Sequence, residues 1–158
     1  MIKIGDKIPA VTLKRFGANG MEEVSTDTLF QGKVVLFSVP GAFTPTCSMK
    51  HLPGFIEKAD AFKAKGVDRV LCLAVNDAFV MKAWAKDQGV EGEIIMLADG
   101  NGDFTKALGL ELDGSRFGMG ARSLRYSLVA NDGVVEQLNV EEGGEFKVSS
   151  AEYLLEHL

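Results

Sequence analysis

An α/β fold, with a central mixed β-sheet flanked by helices and an added N-terminal β-hairpin, is what this sequence predicts, on three observations. Short apolar runs alternate with helical patterns between residues 34 and 108, as parallel strands joined by crossover helices do. The last third has a different pattern, in which two strand-like segments flank Asn131-Asp132-Gly133, a strong turn signal for an antiparallel pair. A second hairpin pattern, around Gly-Ala-Asn-Gly at 17–20, precedes the first apolar run.

The elements follow in order. Residues 11–25 read as the short hairpin, and a brief helix near 26–30 stops at Gly32. Residues 34–39 are continuously apolar, as expected of a strand covered on both faces. After Cys47, the residues Leu52, Phe55, Ala59 and Phe62 recur at helical spacing, with charges on the other face and Gly66 at the end. Pro53 should bend that helix near its second turn. Residues 70–75 form a second buried strand. Asn76 is the expected cap of a helix that carries Val80, Ala83 and Trp84 on one face and ends at Gly89. A third strand at 94–98 leads to a short helix near 104–108, closed by Gly109. After the late hairpin, Ser149 and Glu152 form a capping box for a last helix with Ala151, Leu154, Leu155 and Leu158 as its apolar stripe. Parallel strands first and an antiparallel hairpin late fit a thioredoxin-like core.

With 158 residues, 46% of them hydrophobic and evenly spread, the chain reads as one domain over 1–158 with room for a proper core. A net charge of −5 argues against nucleic acid and against a polybasic membrane contact. The apolar runs are far shorter than the roughly 20 residues that span a bilayer. The opening MIKIGDKIPA lacks the sections of a signal peptide, so a cytoplasmic protein is expected. Asp99, Asn101 and Asp103 mimic the start of a calcium loop, but Phe104 and Leu110 stand where such a loop needs Gly and Glu. That stretch reads as a turn feeding a helix cap. Gly118-Met119-Gly120 begins like a dinucleotide fingerprint, yet it follows no convincing strand and Ser123 replaces the last small residue. It reads as a flexible loop. No cysteine and histidine spacing suits zinc, and neither metal nor cofactor is expected.

Two cysteines, Cys47 and Cys72, are too few for a disulfide scaffold. Cys47 falls where a strand has ended and a helix begins. There the unpaired N–H groups and the positive end of the dipole favour thiolate over thiol. Pro40, Gly41 and Pro45 keep the preceding turn close and stiff, and the Thr44 hydroxyl can donate to and accept from a small polar ligand. Thr44 and Lys50 occupy the places where a C-x-x-C partner would stand, so Cys47 is set up to present one thiolate rather than to shuttle a disulfide. The plainer alternative is a small buried side chain. His51, one turn on, reads as a packing or hydrogen-bonding residue rather than a general base. Arg125 reads as a surface charge at a strand edge.

The segment VVLFSVPGAFTPTCSMKHLPGF at 34–55 resembles the active-site segment of the peroxiredoxins, of the type II or peroxiredoxin-five subgroup in particular. The resemblance continues through LAVNDAFVMKAW, MLADGNGDFTKALGL and LRYSLVANDGVVEQLNVE, and covers nearly the whole chain from Gly5. It implies that Cys47 is the peroxidatic cysteine, which attacks the O–O bond and becomes a sulfenic acid. It further implies that Thr44 orients the peroxide, that Pro40 shields the sulfur, and that Arg125 stabilises the thiolate and the departing oxygen. Arg122 is a second candidate for that last role. The substrates would be hydrogen peroxide and alkyl hydroperoxides.

Cys72, mid-strand between Leu71 and Leu73, is either a buried small hydrophobe or, as the second cysteine of some family members suggests, a resolving cysteine. The loop before the last helix, where other members carry one, has none. Reduction from outside is therefore expected, by glutathione with glutaredoxin or by thioredoxin. Phe43, Phe79 and Phe117 either line an access rim or serve as core or dimer-contact side chains, and the resemblance implies a homodimer. A redox sensor that relays oxidation from Cys47 to a partner protein is the alternative function, and repeated turnover separates the two.

Overall fold

The computed structural model describes residues 1–158. Its elements are β1 (Thr12–Gly17), β2 (Gly20–Ser25), α1 (Thr26–Leu29), β3 (Lys33–Val39), a π-turn over Cys47–His51, α2 (Leu52–Glu57) and α3 (Ala59–Ala64). Then come β4 (Arg69–Ala74), α4 (Ala78–Gln88), β5 (Ile95–Ala98), α5 (Asp103–Leu108), β6 (Glu111–Asp113), β7 (Ala121–Ser123), β8 (Tyr126–Asn131), β9 (Val134–Val140) and α6 (Ala151–Glu156). The main sheet has seven strands in the order β2-β1-β5-β4-β3-β8-β9. β3, β4 and β5 are parallel, while β8 and β9 extend the sheet antiparallel beyond β3. The N-terminal hairpin joins the other edge, where Lys14 meets Ala98.

The continuous apolar strands are explained by their two covered faces. Val35, Phe37 and Val39 of β3 and Cys72 and Ala74 of β4 pack under α2, α3, α4 and α6, in one cluster with Phe55, Phe62, Trp84 and Leu154. The alternate residues Val34, Leu36, Leu71 and Leu73 pack beneath α1 and α5, with Leu29, Phe104 and Leu108. Period-two alternation sends each strand into both layers. The late hairpin turns through Asp132 (φ 48°) and Gly133 (φ 80°), the left-handed pair that a tight two-residue turn requires.

Several expectations are corrected. α4 buries Ala78, Met81 and Trp84, whereas Ala83 faces solvent. Its cap is Asp77, whose carboxylate accepts from Val80 N at 2.9 Å, and not Asn76. The cap of α6 is Ser150, accepting from Tyr153 N at 3.1 Å, and not Ser149. The stretch from Gly118 is no simple loop: Ala121–Ser123 pairs antiparallel with Glu111–Asp113 in a separate two-stranded sheet. Pro53 is preceded by the π-turn, in which Leu52 N reaches Cys47 O, and the helix breaks again at Lys58. A proline has no N–H for the carbonyl four residues back and crowds it, and a wider turn just ahead of it is one way to relieve this. Asp99 feeds a helix cap as expected: it accepts from Phe104 N, Thr105 N and the Thr105 hydroxyl at the start of α5.

Candidate active site

β3 and β4 end side by side at Val39 and Ala74, and ligands of open α/β sheets gather at such carboxyl ends. From β3 the chain turns at Pro40-Gly41. The Ala42 amide is tied to Asn76 Oδ1 at 2.9 Å just past β4, so the loop after one strand is pinned to the loop after the next. Gly41 sits in a tight place: a Cβ there would lie 3.0 Å from Arg122 Nη1, 3.2 Å from Thr44 Cγ2 and 3.3 Å from Met119 Cε, so any larger residue would push these side chains by a few tenths of an ångström. Phe43 takes a left-handed φ of 65°, a strained state for a bulky side chain that tends to mark functional loops. The helical path then opens at Pro45, a residue suited to the first helical position, and Ser48 N donates to Thr44 O at 2.9 Å. Cys47 thus sits in the first turn, as the sequence predicts, and is fully buried. No carbonyl takes the amides of Thr46 and Cys47, which leaves two donors free at this helix start.

Arg125 is the residue that local sequence reading misplaces. It occupies the two-residue gap between β7 and β8, next to the end of β3, and it is half-buried rather than a free surface charge. Its Nη2 donates to Cys47 Sγ at 3.0 Å, and its Nη1 lies 2.9 Å from His51 Nδ1. A guanidinium only donates, so Nδ1 is the acceptor and the ring hydrogen sits on Nε2, which donates to Ser149 O at 2.9 Å. Burial, and after it the positive charge of Arg125, hold His51 far below its ordinary value, at about 3. The ring is neutral. Phe37, Phe55 and Phe146 enclose it at centroid separations of 5.0, 5.6 and 5.1 Å. His51 is therefore the hydrogen-bonding residue expected of it, with a role in holding Arg125 that its position four residues after Cys47 only hints at: both fall on one helix face.

Thr44 Oγ1 donates to Gly41 O at 2.7 Å. Its one hydrogen is used there, and its lone pairs are left for an O–H group. Trp84 Nε1 donates to Ser48 Oγ at 2.9 Å, which fastens α4 to the turn that carries Cys47. Arg122 does not reach the sulfur. Its Nε donates to Met119 O at 2.9 Å and its Nη1 approaches Pro40 O at 3.5 Å, so it braces the Pro40 turn. Cys72 is buried in the middle of β4, and both cysteines are free thiols. Burial first, then the nearby Cys47, push the Cys72 thiol well above its ordinary value, which keeps it protonated. Phe43, Phe79 and Phe117 are 52%, 65% and 75% exposed; none is a core residue, so of the readings of these rings the rim and the dimer contact remain.

Residues 3–155 match the Redoxin family. Peroxiredoxin-2B of Arabidopsis thaliana is 52% identical over 159 residues, covering 99% of this chain and 98% of that protein. Peroxiredoxin-2E-2, chloroplastic, of Oryza sativa subsp. japonica is 55% identical over 163 residues, covering 99% of this chain and 72% of that protein. Among solved structures, reduced Prx3 from Vibrio vulnificus in complex with hydrogen peroxide matches with a TM-score of 0.96 at 54% identity, over 99% of each chain.

Proposed function

The chain belongs to the peroxiredoxin family, in its type II or peroxiredoxin-five branch, and on that premise we propose that Cys47 is the thiol with which it reduces hydrogen peroxide and alkyl hydroperoxides. The activity of the family is thiol-dependent peroxide reduction, and the finer assignment rests on the 3.0 Å contact between Arg125 Nη2 and Cys47 Sγ. A guanidinium donates to the sulfur, and two free amides stand at the helix start, so negative charge on this buried atom meets donors already in place.

The step is a displacement. The thiolate attacks the terminal oxygen of ROOH, an S–O bond forms, the O–O bond breaks, and RO⁻ leaves to take a proton from solvent. The sulfur loses two electrons and becomes a sulfenic acid, Cys47–SOH. The Thr44 hydroxyl, with its hydrogen on Gly41 O, accepts from the peroxide O–H and aligns the O–O bond with the sulfur. The guanidinium, held on Sγ and His51, and the free amides of Thr46 and Cys47 are the donors on hand for the charge that builds on the departing oxygen, and donors fixed in advance need little reorganisation as it forms. Pro40 closes the site to water.

Reduction comes from an external thiol: one thiol displaces water from the sulfenic acid to form a mixed disulfide, and a second releases Cys47. Glutathione with glutaredoxin, or thioredoxin, fits that role. In support, Cys72 is a buried protonated thiol inside a strand, and residues 141–150 contain no cysteine. The solved relative captured with hydrogen peroxide supports the choice of substrate. We further propose a homodimer that covers some of the exposed rings Phe43, Phe79 and Phe117, to be read by sedimentation.

Stopped-flow mixing of the reduced chain with hydrogen peroxide, followed by repeated turnover with glutathione and glutaredoxin or with thioredoxin, tests the proposal. Cys47→Ser should abolish both phases, and one equivalent of peroxide should add one oxygen to Cys47. An intramolecular Cys47–Cys72 disulfide would replace the external first step. A single oxidation without turnover by either system would favour a sensor.

A further inference from the structure

We propose that Glu141 is a positioning residue for peroxide reduction, acting through Ser149 and His51 on the guanidinium of Arg125. The inference rests on the peroxidase reading of Cys47 and adds a residue with no contact to the sulfur.

Glu141 directly follows β9 and is only 6% exposed. The ion pairs of the protein join Lys14 to Glu23, Arg15 to Glu22 and Lys147 to Glu145, so no cation is paired with Glu141. A buried carboxylate without a cation is costly unless hydrogen bonds replace the lost water. Here four donors converge on one oxygen. Glu141 Oε2 accepts from the amides of Lys147, Val148 and Ser149 at 2.8, 2.9 and 2.8 Å, and from the Ser149 hydroxyl at 2.6 Å. Burial pushes this carboxyl up, but the bonds from Ser149, Lys147 and Val148 together outweigh it and hold it below its ordinary value. It stays ionised.

The carboxylate thereby gathers a strap that has little else to hold it. The strap contains Gly143 and Gly144, both at positive φ, and of its side chains Phe146 alone stacks on the site, 5.1 Å from His51 and 5.9 Å from Arg125. The strap ends at Ser149, whose carbonyl accepts from His51 Nε2. Glu141 also donates its own amide to Arg125 O at 2.9 Å, so one residue ties the backbone of the arginine to the carbonyl that orients the histidine.

The consequence is a matter of ring orientation. With Ser149 O in place, the ring hydrogen on Nε2 is satisfied and Nδ1 offers a lone pair to Arg125. Once the strap is loose, Nε2–H has no partner in a dry aromatic box, and the ring turns to find one. Nδ1 is then carried off Arg125 Nη1, and the guanidinium, with one of its two acceptors lost, swings away from Sγ.

A double-mutant cycle tests this, read on the second-order rate of peroxide reaction with the reduced full chain. Glu141→Gln keeps length and one carbonyl oxygen but loses the charge that draws four donors. It should slow the reaction about tenfold or more with Arg125 present, and by less than about twofold in an Arg125→Ala background. Ser149→Ala, which removes one donor and keeps the carbonyl, should slow it less and likewise lose its effect without Arg125. Nitrogen NMR of labelled histidine should find the His51 Nε2–H protected from exchange in the parent and exchanging faster in Glu141→Gln. Glu142→Gln, on the exposed neighbour, should leave the rate unchanged. An unchanged rate in Glu141→Gln, or equal slowing with and without Arg125, overturns the proposal. If Glu141→Gln does not fold, Ser149→Ala decides by the same criterion. A parent chain that does not react with peroxide sinks the peroxidase reading instead.

Discussion

One guanidinium serves two acceptors at the centre of this site: Sγ of Cys47 and Nδ1 of His51, 3.0 and 2.9 Å from different nitrogens of Arg125. A planar fork can meet both at once, and a lysine ammonium on a flexible stem cannot. Arg125→Lys should therefore behave almost as a deletion, with a loss on the order of 100-fold in the peroxide rate; a loss below about tenfold would mean that charge alone is needed. Thr44 is a different case. Its hydroxyl bonds to neither the sulfur nor the arginine in the resting site and donates to Gly41 O, so on the proposed mechanism its part is to hold the peroxide. Thr44→Val should cost on the order of 100-fold against hydrogen peroxide yet leave alkylation of Cys47 by iodoacetamide within about twofold. If the two rates fall together, Thr44 acts on the thiol instead.

Neighbouring residues exchange roles at the ends of two helices. Asn and Asp are equally good N-caps, and so are two adjacent serines, so composition does not separate Asn76 from Asp77 or Ser149 from Ser150. In the fold, the second of each pair caps the helix and the first serves the site: Asn76 holds the Ala42 amide, and Ser149 holds His51 and Glu141. Paired substitutions separate the two jobs. Asp77→Ala should lower stability by about 1 kcal/mol with the peroxide rate unchanged. Asn76→Ala should slow peroxide reaction by releasing the Pro40–Thr44 loop, with a smaller loss of stability. The reverse pattern in denaturant titrations and stopped-flow rates would return the cap to Asn76.

For the whole molecule, the buried neutral imidazole makes stability depend on pH. His51 titrates at about 3 in the folded chain and near its ordinary 6.5 when unfolded. Above that ordinary value both states are neutral and nothing is lost. As the pH falls below it, the unfolded chain takes a proton that the folded chain refuses, so stability drops by up to about 1.4 kcal/mol per pH unit until the folded value is reached. Glu141, held below its ordinary 4.5, adds a further loss only beneath that point. Urea titrations between pH 7 and 5 should thus report His51 in particular, and His51→Gln should flatten the slope. A parent chain equally stable at both pH values would contradict a buried neutral ring.

By itself the sequence determined the order of strands and helices, the two hairpins, the reactive-looking Cys47 with Thr44 and Pro40, and the likeness that singled out Arg125. These are legible because periodicity, turn chemistry and a helix start are short-range, set by residues a few places apart. Tertiary structure alone decided that Arg125 reaches Cys47 across 78 positions, that Ser149 reaches His51 across 98, which polar neighbour caps and which serves the site, and that residues 121–123 pair as a strand. Such contacts depend on strands that pair side by side far along the chain, and no local pattern records which distant side chain will stand opposite a given sulfur.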